Sequence, residues 1–219
     1  MKKNSLAHAA ALLPLAIGLA MNGVSSRSHA SNPSSAEPAF CSQFGIDSSA
    51  SESLGHAISV PPQTCTTRMS NGFSLPDSEC TPGAVNPTVT VEVLRDSGFR
   101  TACVRGHASS AAENNHTYQR YAIEHPDQNT GQTQTCELDH LISLELGGAD
   151  TVDNIWPQCG PPGVVLSERY FKRKDAVENF LAKQVREGKM SLAEAQKGIA
   201  TDWTQFLAAS EGCEGAACE

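Results

Sequence analysis

The chain has 219 residues, with 16 Lys and Arg against 24 Asp and Glu, a net charge of −8, and 5% aromatic residues. A surface of that sign does not draw nucleic acid from a distance, so any polyanion contact has to come from a local basic patch. Apart from one N-terminal stretch no long apolar run occurs, which leaves no membrane partner once that stretch is removed.

The N-terminal stretch begins with Lys2 and Lys3, runs through an apolar segment from Leu6 to about Val24, and ends in Ser28-His29-Ala30. This is the layout of a secretory signal peptide over residues 1–30, with cleavage expected after Ala30 and a secreted or periplasmic product. Its removal takes Lys2, Lys3 and Arg27 and no acidic residue. The basic count then falls from 16 to 13 against 24 acidic, and the net charge moves from −8 to −11. All eight cysteines lie in the exported part, an even number that favours disulfides. There is no C-x-x-C pair, so no structural zinc is expected. Two pairings have some local basis: Cys80 with Cys103, and Cys136 with Cys159.

Residues 31–79, rich in Ser, Pro, Gly and Gln, read as a flexible or loosely folded arm tied down through Cys41 and Cys65. A folded domain is expected over 80–209, with 210–219 as a tail. Thr81-Pro82-Gly83 and Asn86-Pro87 signal turns, and Val89, Val91 and Val93 alternating with Thr90 and Glu92 predict a half-buried strand. Residues 105–134 read as polar loop with one short helix around Tyr118 to Ile123. His107, His116 and His125 are expected at the surface, and Tyr118 and Tyr121 as packing residues. Leu138 to Leu146 reads as extended chain entering a Gly147-Gly148 turn. After Pro161-Pro162-Gly163 the period becomes helical: Tyr170, Val177, Leu181 and Val185 form one stripe, and Gly188 is a C-cap. Ser191 to Glu194 is a capping box with Met190 as its staple, opening a second helix that buries Leu192, Ala195, Ile199 and Phe206.

The segment Glu137-Leu138-Asp139-His140-Leu141-Ile142, then Gly147-Gly148, then Asp153-Asn154-Ile155-Trp156-Pro157 resembles the His-Asn-His (HNH) nuclease superfamily. The likeness is closer to small exported bacterial proteins that carry this domain. Their ordered pattern is met at Cys80 to Pro87, 139–141, 144–148, 154–157, 174–179, 192–196 and 200–203, so it spans roughly residues 80–203. It implies an α+β fold: a β-β-α-metal core followed by a C-terminal helical hairpin, stapled by disulfides. The activity implied is hydrolysis of phosphodiester bonds in DNA or RNA, by an endonuclease.

That reaction needs a base for water and a cation for the crowded phosphate oxygens. By resemblance, His140 is the general base, Asn154 fixes its orientation, and Asp139 ligates a divalent ion such as Mg²⁺ or Mn²⁺. The third family position is open between Asp175 and Glu178, one turn apart on a helix. Residues 167–189 hold seven basic and four acidic side chains, the local patch that the total charge hides. Arg169, Lys172, Arg173 and Lys174 are assigned to the phosphates of a nucleic-acid partner. Trp156 is expected in the core. The alternatives are an inactive HNH-fold binding module and a disulfide-stapled envelope protein. No protein partner is indicated.

Overall fold

The computed structural model describes residues 40–55, 64–106 and 111–211. The expected leader 1–30, His107 and the cysteines Cys213 and Cys218 lie outside the described residues. The class is α+β, with three two-stranded antiparallel sheets and five α-helices among the described residues. No helix among them is long and apolar enough to cross a membrane.

Strand β1 (Glu52–Ser53) pairs with β4 (Ala84–Val85), and β2 (Arg68–Ser70) with β3 (Phe73–Leu75) across the Asn71-Gly72 turn. The segments 40–55 and 64–79, expected as a loose arm, pack onto the main core through Cys41, Ile46 and Leu75, all buried. Two disulfides hold them, Cys41–Cys103 and Cys65–Cys80, and a third among the described residues, Cys136–Cys159, lies outside these segments. The expected Cys80–Cys103 pairing is thus corrected, because each of those cysteines reaches back into the 40–79 stretch instead. Cys136–Cys159 is as expected. Disulfides of this kind suit an oxidising compartment.

The alternation at 89–93 does not make a strand. Thr90 caps a short helix, α1 (Val91–Arg95), by accepting from Val93 N, with Glu92 in the first turn and Arg95 in the last. The capping oxygen and helix-favourable charges win over β-branching here. Helix α2 (Ala111–Arg120) starts earlier than the aromatic segment suggested and carries Tyr118, buried as expected, with Tyr121 buried just beyond it. His116 and His125 are exposed.

Strands β5 (Cys136–His140) and β6 (Ile155–Cys159) pair antiparallel with Asp139 opposite Trp156 and His140 opposite Ile155. Helix α3 (Tyr170–Arg186) follows and buries Phe171, Val177, Leu181 and Val185. It ends in a Schellman motif: Gly188 has φ +72°, Lys189 N donates to Gln184 O and Gly188 N to Val185 O. Helix α4 (Leu192–Asp202) opens with the full capping box of Ser191 and Glu194 and buries Ala195 and Ile199. A 3-10 turn with Trp203 leads to α5 (Leu207–Ser210). Leu192 and Phe206 are partly buried against the same core.

Between β5 and β6 the chain makes a tight loop. Gly147 takes φ +70°, and a Cβ on Gly148 would stand 1.8 Å from Ile142 O, so both positions require glycine. The Cys80 to Pro87 stretch backs this loop with main-chain bonds: Gly83 N to Asp153 O, Ala149 N to Ala84 O and Asn86 N to Gly147 O.

Candidate functional site

Strand β5, the loop after it, α3 and the 101–105 segment line a cleft of about 320 Å³, with Glu137, Asp139, His140, Glu145, Asp175, Glu178, Thr101 and Arg105 among its lining residues. His140 lies at the end of β5, where the strand gives way to the loop. Its ring Nε2 is 2.9 Å from Asp150 Oδ1, and the Asp150 side chain is wholly buried. The second Asp150 oxygen accepts from Gly106 N at 2.7 Å.

Asn154 was expected to orient His140, but it does not touch the ring. Fully buried, its amide donates to Ile142 O (2.9 Å) and Ala149 O (2.8 Å), while its oxygen accepts from Ile142 N (3.0 Å) and Ala84 N (3.4 Å). Three of these contacts hold the loop that follows His140 and the fourth ties it to β4, so Asn154 is linked to the histidine only through the backbone. Contact with the ring belongs to Asp150, for which the sequence carried no local signal.

The four cationic residues assigned to phosphates separate into two kinds. Lys172 and Arg173 are partly exposed. Arg169 is buried and donates to Pro161 O. Lys174 is fully buried, with its ammonium among Asp139 Oδ2 at 2.8 Å, His140 O at 2.7 Å and a Glu178 oxygen. Arg169 and Lys174 are therefore not open to a docked polyanion. A signal for Lys174 was present: with Val177, Leu181 and Val185 it follows the three- and four-residue spacing of the buried stripe. Arg105, exposed and lining the cleft, sits in a segment with no periodicity and so carries no sequence signal.

Burial and crowding set the charges. Glu137 and Glu145 are each pushed up to about 7, first by loss of water and then by neighbouring carboxylates, Asp139 and Asp175 for Glu137 and Asp175 for Glu145. Burial also pushes Asp139 and Glu178 up, against the opposing pull of the Lys174 ammonium. Between their ordinary value of 4.5 and about 7, Glu137 and Glu145 bind more protons folded than unfolded. Stability held by these groups is therefore full below 4.5 and lost as pH rises to about 7. The melting temperature is expected to fall from pH 5 to pH 8, and less steeply in Glu145→Gln. A flat profile in the unaltered protein would contradict the burial of these carboxyls.

A divalent ion fits this cleft in part. Among the described residues no three His, Cys, Asp or Glu side chains are grouped to hold a metal. Asp175 turns to Lys172, 2.6 Å away, rather than to Asp139. What remains is a pair, Asp139 and Glu178. Asp139 Oδ2 is buried without a directed hydrogen bond, and both carboxylates already clasp a cation in the Lys174 ammonium. Two carboxylate donors suit a hard ion that completes its shell with water and substrate phosphate, as Mg²⁺ does. Set against protein-family models, curated proteins and solved structures, the chain shows no match in any of the three.

Proposed function

We propose that this chain is an exported HNH-type endonuclease that hydrolyses phosphodiester bonds in DNA or RNA with the help of a divalent ion. The observation that carries the reading is His140. It stands at the end of β5, in a strand–loop–strand–helix unit, beside a cluster of carboxylates and with its ring held by a buried one. His140 takes the proton from the attacking water. Asp139 and Glu178 would hold the ion, which supplies charge stabilisation to the phosphate oxygens. Arg105, which lines the cleft, and Lys172, 2.6 Å from the lining Asp175, would bind the substrate backbone, with Arg173 next to Lys172 in sequence. Asn154 keeps the loop behind the base in place.

A second reading, an inactive binding module on the same scaffold, is favoured by one observation: the Lys174 ammonium already engages both of the carboxylates a metal would need. The test is incubation of the disulfide-intact protein with plasmid DNA and with RNA, with Mg²⁺, Mn²⁺ or EDTA. His140→Ala is expected to cut about 10²–10⁴-fold more slowly, the usual contribution of a positioned base. If folded wild type is inert with every metal, the binding-module reading replaces the nuclease.

A further inference from the structure

We infer that Asp150 is the positioning residue of the site. It sets which nitrogen of His140 faces the cleft as a proton acceptor, and it ties the Arg105 segment to that histidine. The inference rests on the reading of His140 as the base.

An ionised carboxylate can only accept hydrogen bonds. Asp150 has no exposed side-chain surface; among the described residues its Oδ1 meets the His140 ring at 2.9 Å and its Oδ2 the Gly106 peptide N–H at 2.7 Å. The first contact requires the ring hydrogen to be on Nε2. Nδ1 then carries the lone pair, and among the described residues it has no hydrogen-bond partner. The ring retains 11% of its side-chain surface exposed and lines the cleft, so water can reach it. The second contact reaches across 44 residues to the segment whose Arg105 and Thr101 also line the cleft. Cys103, in the middle of that segment, is bonded to Cys41. That segment is thus held both by a disulfide and by the carboxylate that holds the base.

Asp150→Asn tests this with a change of one atom. An amide offers one accepting oxygen and one donating NH₂, but the His140 ring and the Gly106 peptide are both donors to Asp150. With the oxygen kept on Gly106 N–H, the NH₂ faces Nε2 and requires the lone pair there, which moves the ring hydrogen to Nδ1. A purely structural link to Gly106 would survive the exchange.

The measurement is nitrogen NMR of ¹⁵N-ring-labelled histidine in the disulfide-intact protein at pH 8, with His140 assigned by its loss in His140→Gln. The expected result is hydrogen on Nε2 in wild type and on Nδ1 in Asp150→Asn. Turnover on whichever nucleic acid wild type cleaves is expected to drop about 10³–10⁴-fold in kcat with KM little changed, since the wrong tautomer removes the base and not the binding surface. Hydrogen on Nδ1 in wild type overturns the inference, and that spectrum needs no variant to fold. An unchanged tautomer with unchanged turnover in folded Asp150→Asn overturns it as well. The spectrum does not depend on catalysis. If wild type cleaves nothing, the nuclease reading fails alone, and the tautomer still decides the role of Asp150.

Discussion

Lys174→Met is expected to lower the unfolding free energy by about 3–5 kcal/mol at pH 8, the loss typical when one partner of a buried ion pair is removed. The substituted side chain fills a similar volume, so the effect is one of charge. Lys174 is fully buried between β5 and α3, where its ammonium faces Asp139, Glu178 and the carbonyl of His140. Without it, two carboxylates remain inside the protein with no cation beside them. Both are already pushed up by burial, and loss of the ammonium pushes them further, so in the variant they take protons. A raised acid contributes stability at low pH and loses it as pH rises through its folded value. The deficit is therefore expected to be smaller at pH 5 than at pH 8. Urea unfolding at both values measures it. Equal stability of wild type and variant at pH 8 would mean that the ammonium is not the counter-charge of this cleft.

Asn154→Ala is expected to cost about 3–5 kcal/mol. Each net hydrogen bond is worth roughly 1 kcal/mol, and each buried group left unpaired adds about 1–3. The amide is fully buried and satisfies Ile142 on both its N–H and C=O sides, together with Ala149 O. Neither Ile142 nor Ala149 is exposed, so water cannot replace the lost partner. Since these bonds span the loop between His140 and β6, any nuclease activity should fall with stability in Asn154→Ala, whereas His140→Ala, which leaves these bonds in place, should lose activity even under conditions where it is fully folded. Chemical unfolding of the two variants side by side separates the loop-holding role from the base.

Several elements are legible from neighbours along the chain. The Ser191–Glu194 capping box, the Gly188 terminus, the Gly147-Gly148 turn and the burial of Trp156 all appear as expected. Each depends on residues within about one helical turn or one tight turn, where side-chain spacing and φ preference carry the information. The strand expected at 89–93 shows the limit of such reasoning. Alternation alone does not provide a neighbouring strand, and the Thr90 cap turned the segment into α1. The Asp139–His140 pair and the carboxylates of α3 were also picked out in sequence, and one cleft does gather them.

The sequence by itself determined the Ser191–Glu194 cap, the glycine turn and the C-terminal helices. Only the tertiary structure decided which charges face the cleft. Lys174 shares the spacing of the buried stripe, but its ammonium can stay inside only because β5 brings Asp139 and the His140 carbonyl, 35 and 34 residues away, to the same face of α3 as Glu178. Asp150 gained its role from a ring ten residues before it and a peptide group 44 residues before it. Cys80 chose Cys65 over Cys103 because residues 64–79 fold back beside it. A lone side chain's cost of burial is set by the partners that meet it there, and those partners are fixed by chain folding across tens of residues rather than by local pattern.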